Sequence, residues 1–518
     1  MPFTRKLAVG AILLLAALQL YRPDRTNPPI EPTLAFDSGE GVPADVSAIV
    51  KRSCFDCHSN ATRWPWYSQV APVSWMVANH VREGRSALNF SEWRTYDTRR
   101  QARRLEEVCE IVRAGEMPPP SYLLMHGDAR VSESDVRALC GWAAADADAM
   151  TSSGRTLPPF APAAAHGDFI YVSGILPGPA DGDTIESQAT HVVAELSKRL
   201  VRLGTNLDRV VATSVYLKRA EDFAGLNEVW RRTWTSRPPT RTTVLAELPS
   251  STALLQVSAV AARPGVDVEV LLPGGWQPPS NPYSYGIRAG DTVFLSGLVP
   301  RSPRDGTAIE GDIAIQTRAV LDSASALLEA AGLSFANVVS ARVFIADIAD
   351  FQRMNDVYRA YVSETPPARA TVRATLTNPD FRIEITLMAA SGSTRLVFTT
   401  PAEDGSPGQP SPNLSSAIGF GRRVFLSGML GVRPGSGSDA VAQTGEALDR
   451  LERTMALAGV GWPNVIDSVV YVTDLSRAGL ILEAMQTRAG GNLPVGAVAG
   501  AGLVSPEALV EIMLTAGK

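Results

Sequence analysis

Phe294-Leu295-Ser296-Gly297 is a short apolar stretch that ends in serine and glycine, and this chain contains it three times. The other two copies are Tyr171-Val172-Ser173-Gly174 and Phe425-Leu426-Ser427-Gly428, and the three serines lie 123 and 131 residues apart. Units of this length are too long for a solenoid repeat and large enough to have a core of their own. The repeat therefore predicts three tandem domains of one kind.

The same order of elements follows each copy of this stretch. Alanine and leucine at helical spacing predict a helix that a glycine ends, and a β-branched strand, a second helical segment and an apolar strand come after it. The predicted helices span 187–204, 315–332 and 441–459, the middle strands 210–217, 338–345 and 465–472, and the last strands 254–261, 383–389 and 509–515. Joins rich in Pro, Gly and Ser, at about 263–282 and 395–416, predict linkers between α+β domains.

These copies resemble the RidA family, also called YjgF, which comprises reactive-intermediate deaminases with a chorismate-mutase-like fold. In the middle copy the resemblance rests on Pro282-Tyr283-Ser284, Ser296-Gly297, Asn355, Pro367-Ala368-Arg369 and Ile383-Glu384-Ile385. It implies domains at 155–265, 275–392 and 410–518. Because the family forms homotrimers with a small-molecule pocket at each interface, three copies imply a pseudo-trimer closed within one chain, with no need of homotrimerisation.

The resemblance also implies roles for single residues. An arginine holds a substrate carboxylate and a glutamate orients the water that hydrolyses an imine or enamine. In the middle copy this makes Arg369 and Glu384 the predicted catalytic pair. The predicted ligand contacts are Tyr283, Ser296, Gly297 and Asn355 of that copy and Arg241 and Asn227 of the first.

The first and third copies depart from this pattern. Fifteen residues after Arg241 the first copy has Gln256 in place of the glutamate, and Phe160 stands at the tyrosine position. We therefore expect the first copy to bind without hydrolysis. The third copy retains Glu511, but Gly496, Leu482 and Leu414 replace the arginine, the asparagine and the tyrosine, and we expect it to be structural.

The N-terminal 30 residues have the layout of an export signal. Arg5 and Lys6 precede an apolar run at 7–20, and the Pro-rich stretch 22–32 reads as an extended spacer. The run is shorter than the ~20 residues that comfortably span a bilayer, yet no clear cleavage site follows it. An uncleaved anchor and a cleaved signal both remain open. Either outcome predicts a protein on the periplasmic side of a bacterial inner membrane.

Cys54-Phe55-Asp56-Cys57-His58 is the attachment pattern of a c-type haem. Two thiols at this spacing each form a thioether with a porphyrin vinyl group, and His58 then binds the iron. We expect one covalent haem. Met117, which directly precedes three prolines, is the predicted second axial ligand and suits electron transfer. His80 is the rival candidate, and His126 is a third.

Residues 7–145 resemble a haem-binding domain family of small membrane-anchored bacterial cytochromes. The matching segments include 54–68, Ala71-Pro72-Val73-Ser74-Trp75, 88–93 and Gly115-Glu116-Met117-Pro118. The resemblance implies a mostly helical cytochrome c domain at 31–150. Cys109 and Cys140 are not part of that pattern, and a disulfide and two separate buried thiols are both open alternatives.

The net charge of −5 over 518 residues argues against a nucleic-acid partner, which favours a basic face. Three functions then remain. The preferred one is a membrane-anchored electron-transfer or redox-sensing haem protein that binds a small carboxylate ligand in its RidA-like pocket, with a redox partner that the sequence does not identify. The alternatives are an imine or enamine deaminase with a cytochrome appendage, centred on the middle copy, and a non-catalytic pseudo-trimeric scaffold.

Overall fold

The computed structural model describes residues 18–37, 42–96, 98–152, 157–362, 365–392, 394–433 and 439–518. The chain divides into two compact units, 1–154 and 155–518. Most of the apolar run at 7–20 lies outside the described residues. Within the ranges given above, no helix combines the length and the apolar character needed to cross a membrane.

The first unit is helical. Its α-helices are α1 (Ala44–Ser53), α2 (Phe55–His58), α3 (Val73–Ala87), α4 (Thr98–Arg113), α5 (Pro120–Leu123) and α6 (Glu133–Ser152). Short 3₁₀ turns lie between them at Pro32–Leu34, Trp66–Gln69, Phe90–Thr95 and Gly127–Ala129. The core is aromatic: the Phe36 ring meets those of Phe90 and Trp93 edge to face.

A disulfide joins Cys109 of α4 to Cys140 of α6, with a Cα–Cα distance of 5.4 Å. Both residues are buried in the same hydrophobic cluster as Phe36 and Phe90. Of the two open alternatives for these cysteines, the structure has the paired one. The bond closes a loop of 31 residues, which limits the freedom of the unfolded chain.

The second unit contains three copies of an α+β domain. Copy 1 consists of β1 (Ala163–His166), β2 (Phe169–Ile175), α7 (Ile185–Arg202), β3 (Val210–Leu217), α8 (Asp222–Thr233), β4 (Thr240–Leu245) and β5 (Leu255–Ala262). Copy 2 consists of β6 (Val268–Leu271), β7 (Gly286–Ala289), β8 (Thr292–Leu295), α9 (Ile313–Ala330), β9 (Val338–Ile345), α10 (Phe351–Val362), β10 (Ala368–Arg373), β11 (Thr375–Leu376) and β12 (Ile383–Ala390). Copy 3 consists of β13 (Arg395–Phe398), β14 (Ala417–Phe420), β15 (Arg423–Leu426), β16 (Met429–Leu430), α11 (Ala440–Leu457), β17 (Val465–Val472), α12 (Ala478–Arg488), β18 (Gly496–Gly500), β19 (Gly502–Leu503) and β20 (Val510–Gly517).

Each copy has its own sheet with one topology. The orders are β1-β2-β5-β3-β4 in copy 1, β6-β7-β8-β12-β9-β10 in copy 2 and β13-β14-β15-β20-β17-β18 in copy 3. The strands after the long helices pair in parallel, as β3 does with β4, while the last strand of each copy is antiparallel to its neighbours. The helices cover one face of each sheet with apolar residues spaced for burial, such as Val192, Leu196 and Leu200 of α7.

The three copies close on one another in a ring. Strand β11 of copy 2 pairs with β4 of copy 1, and β19 of copy 3 pairs with β10 of copy 2. A bridge between Glu247 and Gly500 joins copy 1 to copy 3. At the centre, Tyr216, Phe344 and Tyr471 of the three copies share one buried cluster, in which the two tyrosine hydroxyls are 3.1 Å apart. The unit is therefore a pseudo-trimer built from one polypeptide.

The predicted middle strands agree with the structure residue for residue, and the predicted helices and last strands differ from it only at their ends. The predicted linkers were partly wrong. Strands β6 and β13 lie inside them and form the edges of the sheets of copies 2 and 3. Each spans only four positions, Val268-Glu269-Val270-Leu271 and Arg395-Leu396-Val397-Phe398, and neither alternates strictly between apolar and polar residues. In the sequence, the Pro- and Gly-rich flanks hide strands as short as these. In the structure, each strand is held in register by pairing with the next one, β6 with β7 and β13 with β14.

Candidate functional site

The first unit contains a cavity of about 900 Å³ between α1, α3, α4 and the segment 117–126. Cys54, Cys57 and His58 lie on its wall together with Met117, 59 residues later in the chain. Its other lining residues are mostly apolar, among them Val77, Val81, Leu88 and Leu139. A largely apolar cavity of this size with two thiols and an imidazole on one wall fits a haem.

His58 is oriented for iron ligation. Its Nδ1 lies 3.2 Å from the carbonyl oxygen of Leu88 and can donate a hydrogen bond to it, which leaves the lone pair of Nε2 to bind the iron. Burial lowers the pKa of the imidazole, so that the neutral form, the one that binds metals, dominates at neutral pH. The backbone thus fixes both the tautomer and the direction of the predicted axial ligand.

The two cysteines of the motif are unpaired and half-buried. Burial raises the pKa of Cys54 to about 12 and that of Cys57 to about 11, so both stay thiols at neutral pH. The motif also packs tightly against α3. A Cβ on Gly84 would lie 2.5 Å from the carbonyl oxygen of Cys57, so only glycine allows this approach.

Each of the three candidates for the second axial position lines the same cavity. Met117 is 40% exposed. His80 is exposed on α3. His126 is held by protein: its Nε2 lies 2.7 Å from the Tyr67 hydroxyl, and its ring stacks on Tyr122 at 4.3 Å. Met125, which the sequence analysis missed, is 57% exposed on the same wall; the only available signal was its place next to His126.

In the second unit the predicted residues form two clusters of side chains, each at the interface of two copies, and we call these clusters the first and second pockets. The first pocket consists of Arg241 and Asn227 of copy 1 and Tyr283, Gly297 and Glu384 of copy 2. The Thr243 amide donates to Glu384 Oε1 at 3.1 Å, and the guanidinium carbon of Arg241 lies 5.8 Å from the centre of the Tyr283 ring. Arg241 Nη2 donates to Asn227 Oδ1 at 2.8 Å, which fixes the guanidinium beside the ring.

Burial shifts the charges of this pocket toward neutrality. It lowers the pKa of Arg241 to about 10, and nearby Tyr283 and Glu384 partly oppose that shift. Burial also raises the pKa of Glu384 to about 8, although the Thr243 amide and Arg241 act in the other direction. At neutral pH the pocket therefore has a cationic guanidinium and a mostly protonated carboxyl, and it can bind an anion and donate a proton.

The second pocket has the corresponding place between copies 2 and 3. It contains Arg369 and Asn355 of copy 2 with Gly428 and Glu511 of copy 3. Arg369 is buried with its guanidinium 4.7 Å from the centre of the Tyr358 ring, and burial raises the pKa of Glu511 to about 8. Within the described part of the chain, both side-chain polar atoms of Asn355, two nitrogens of Arg369 and Glu511 Oε2 are buried without a hydrogen-bond partner.

Among the described residues, the third interface, between copies 3 and 1, has no such cluster. Gly496 stands where the arginine would be, and a Cβ there would meet the Phe160 ring at 2.7 Å. Gln256 occupies the position of the glutamate, and it is buried. The phenylalanine therefore fills the space that an arginine side chain would need.

The structure does not bring Arg369 and Glu384 together, so their predicted pairing in one pocket was wrong. Glu384 faces Arg241 of copy 1, and Arg369 faces Glu511 of copy 3. Two expectations built on that pairing change with it. Copy 1 contributes its arginine to a pocket that has a glutamate, and copy 3 contributes Glu511 to the second pocket rather than having no place in any site.

The serines of the repeated stretch hold the interfaces together. Ser296 accepts a hydrogen bond from the Arg241 amide at 2.9 Å and donates to the Ser284 carbonyl at 2.7 Å. Ser427 and Ser173 bind the amides of Arg369 and Gly496 in the same way. Since both hydrogen bonds of Ser296 go to the backbone, the structure gives it a positioning role in place of the predicted ligand contact. The adjacent glycine leaves room for the acid: a Cβ on Gly297 would overlap the Glu384 carboxyl.

Comparisons with known proteins agree with both halves of this description. The haem-binding domain family matches residues 13–145. The family described as endoribonuclease L-PSP matches 151–263, 276–391 and 407–518.

Several curated proteins are similar to a single copy. A RutC family protein of Pyrococcus horikoshii is 40% identical over 121 residues, which are 23% of this chain and 96% of that protein. The 3-aminoacrylate deaminase RutC of Acinetobacter baylyi is 38% identical over 121 residues, again 23% and 96%. The solved YjgF gene product of E. coli is 32% identical, covers 24% of this chain and 99% of its own, and has a TM-score of 0.23. The chain thus carries an N-terminal haem-binding domain, and with three tandem domains it belongs to the endoribonuclease L-PSP family, the family of RidA and YjgF.

Proposed function

We propose that this protein is an exported, membrane-anchored electron-transfer or redox-sensing protein with one haem c bonded to Cys54 and Cys57. His58 and Met117 would be its axial ligands. The observation that carries the proposal is the shared cavity, which has the thiols, the imidazole and the thioether on its wall. The basic residues and apolar run at the N-terminus support export to the periplasmic side of an inner membrane, where the Cys109–Cys140 disulfide is stable.

The haem would supply one-electron chemistry, and the protein would set its potential through the axial ligands and the apolar wall. Leu88 holds His58 in the tautomer that binds iron. Met117, on its proline-flanked turn, provides a soft thioether that favours the reduced iron. Tyr67 keeps His126 engaged, which leaves the exposed Met117 the better placed of the two for ligation.

The test is expression in a host that matures c-type cytochromes. We expect a mass increment of one haem that survives denaturation, and we expect Cys54→Ser with Cys57→Ser to abolish it. Met117→Ala should remove the weak absorption band of methionine-ligated ferric haem, whereas Met125→Ala and His80→Ala should retain it. Protein without covalent haem would overturn the proposal. Absence of the band from the wild type would exclude methionine ligation and favour a histidine, and loss of the band in Met125→Ala alone would replace Met117 with Met125 as the ligand.

We propose further that the first pocket binds a small carboxylate-bearing amino- or keto-acid-like ligand. Arg241 would grip the carboxylate bidentately, and the Tyr283 ring would line the pocket beside it. The second pocket would bind a ligand of the same class through Arg369. Its buried, unmatched polar atoms support this, because such groups normally have a ligand or water as partner.

Turnover at the first pocket is favoured by the hydrogen bond from Arg241 to Asn227, which fixes the guanidinium, together with the high pKa of Glu384. Glu511 has a similar pKa, but Asn355 makes no such bond among the described residues of the second pocket. A protonated Glu384 can donate to the imine nitrogen of a bound 2-imino acid, or to the carbon of its enamine tautomer, and either proton transfer leaves an iminium group. Its carboxylate then takes a proton from the water that attacks the iminium carbon, and collapse of the adduct releases ammonia and a keto acid. Curated relatives are named 3-aminoacrylate deaminase and 2-iminobutanoate/2-iminopropanoate deaminase. We therefore propose hydrolysis of such a 2-imino acid as the second function.

Release of ammonia from 2-iminopropanoate by the purified full-length chain tests this step. We expect Glu384→Gln to lose turnover, because glutamine cannot supply the proton. The matched control is Glu511→Gln, the same change in the second pocket, which should retain it. Equal activity of wild type and Glu384→Gln would leave the pockets as binding sites. Failure of both arginine pockets to bind pyruvate would favour the scaffold alternative.

A further inference from the structure

A group of exposed apolar side chains lies beside the haem cavity. We call it the rim patch, and its members are Leu20, Tyr21, Trp66, Val70, Val73 and Met76. Leu20 is 87% exposed, Trp66 73% and Tyr21 67%. Large apolar side chains grouped on one surface mark a contact site, since their burial removes apolar area from water.

Hydrogen bonds tie the two segments of the rim patch together. The Gln19 side chain donates to the Ala71 carbonyl at 3.2 Å and accepts from the Ala71 amide at 2.9 Å. Trp75 donates from its indole nitrogen to the Tyr21 carbonyl at 3.0 Å, and the two rings meet edge to face. The end of the apolar run is therefore fixed on the segment 66–76 and is not joined to it by a free linker.

A bound haem accounts for only part of this exposure. Trp66, Val73 and Met76 line the haem cavity, so a haem would cover part of each. Leu20, Tyr21 and Val70 do not line it, and they stay exposed whatever the cavity contains. The rim patch needs an occupant other than the haem.

Position in the chain and composition identify that occupant. The apolar run at 7–20 leads into the rim patch without a spacer, because Leu20 is both the last residue of the run and a member of the patch. Tyrosine and tryptophan are the side chains enriched where a bilayer meets water, and Arg22, exposed next to Tyr21, suits the headgroups of anionic lipids.

We propose that the rim patch lies in the interfacial layer of a phospholipid bilayer, so that the haem domain rests on the membrane surface with its cavity opening at the lipid boundary. The proposal rests on the membrane anchoring proposed above and goes beyond it, because an anchor on a free tether would leave the patch in water. Lipid contact would then involve three segments of the chain: the N-terminal run, the turn at 66–70 and the start of α3.

The experiment places an environment-sensitive NBD fluorophore on the full-length haem-loaded protein in phosphatidylethanolamine–phosphatidylglycerol vesicles. Single cysteines are introduced by Ile12→Cys in the apolar run, Val70→Cys in the rim patch and Ser134→Cys on α6. The four native cysteines are then bonded to haem or to each other and do not react. The emission intensity is measured with and without a lipid that carries a doxyl quencher at a shallow depth, and the ratio of the two intensities is reported. Because the haem quenches both intensities equally, its effect cancels in this ratio.

We expect quenching by the doxyl lipid at positions 12 and 70 and none at 134. Quenching at 12 without quenching at 70 would overturn the rim-patch proposal and leave the anchor intact. No quenching at position 12 would overturn the anchor. In that case quenching at position 70 would still support contact between the rim patch and lipid, and no quenching there would overturn it. If the patch instead contacts a second copy, the label at 70 would be blue-shifted but unquenched, and the shift would vanish in nanodiscs that hold one chain; that result also overturns the proposal.

Discussion

The first and second pockets have the same arginine and glutamate in the same places, but they differ in how the arginine is held. In the first pocket Asn227 binds the guanidinium of Arg241, and the Tyr283 ring lies beside it. In the second pocket Asn355 makes no such bond among the described residues. We infer from this difference that an arginine–glutamate pair alone does not prepare a site for chemistry. A guanidinium that is already fixed does not have to be ordered when the substrate binds, so less of the binding free energy is lost. We therefore assign turnover to the first pocket and binding to the second.

The largest expected effect comes from removing each arginine in turn. Arg241→Ala should lower kcat/KM for 2-iminopropanoate roughly a hundredfold, since losing a buried charge pair costs about 3 kcal/mol. Arg369→Ala should leave kcat/KM within about twofold, because its pocket contributes no turnover. Ammonia release measures both variants. A larger loss in Arg369→Ala than in Arg241→Ala would reverse the assignment of the two pockets.

Raising the pH should stop turnover by deprotonating Glu384. Its pKa is about 8, so kcat/KM should fall about tenfold per unit above pH 8. Glu511→Gln should show the same profile, because Glu511 lies in the other pocket. A profile that is flat up to pH 10 would contradict a protonated Glu384 as the donor.

Stability should depend on pH through the same carboxyls. Glu384 and Glu511 both have a pKa near 8 in the folded protein against 4.5 as the reference value, so the folded state binds their protons more tightly. The stability that these two groups contribute is complete below about pH 4.5 and is lost as the pH rises toward 8. Thermal unfolding from pH 5 to 8 should show a falling midpoint, and Glu384→Gln with Glu511→Gln should reduce the slope.

The sequence was sufficient for the domain fold but not for the pairing of residues in the sites. Periodicity and repetition located the middle strands because each copy buries its own sheet and helices locally. The pockets, in contrast, form where the arginine of one copy meets the glutamate of the next, and sequence distance within a copy does not record that contact. Arg369 and Glu384 are fifteen residues apart, yet Glu384 lies with Arg241, 143 residues away.

The haem site shows the opposite case. The two cysteines and His58 lie within five consecutive positions, 54–58, so their spacing alone indicates how they are used. Met117 and Met125 both line the same cavity from a distant turn, and the sequence distinguished Met117 by the prolines after it and by its place in the segment 115–118 that resembles the haem-binding family. The function of a local motif could therefore be predicted from the sequence, whereas the residues that meet it across the cavity could be identified only in the folded structure.

Exchanging the residue at the tyrosine position tests how much the ring contributes. Leu414 replaces it in the second pocket, and the adjacent Ser415 binds the Pro366 carbonyl as Ser284 binds that of Pro238. Tyr283→Leu should lower kcat/KM about tenfold, for a loss of about 1.4 kcal/mol. Leu414→Tyr should tighten pyruvate binding to the second pocket, measured by calorimetry in an Arg241→Ala background. An unchanged kcat/KM in Tyr283→Leu would show that the ring is not used.

The smallest effect should come from the two asparagines, and it tests the comparison most directly. Asn227→Ala removes a hydrogen bond to Arg241 that costs about 1 kcal/mol, so KM should rise about fivefold while kcat is nearly unchanged. Asn355→Ala removes no protein hydrogen bond that the described residues show, and steady-state turnover should be unaffected. It should weaken pyruvate binding to the second pocket, because the free amide of Asn355 is then no longer available to the ligand. Equal KM changes in both variants would mean that the two arginines are held alike. That result would contradict the assignment of turnover to the first pocket and of binding to the second.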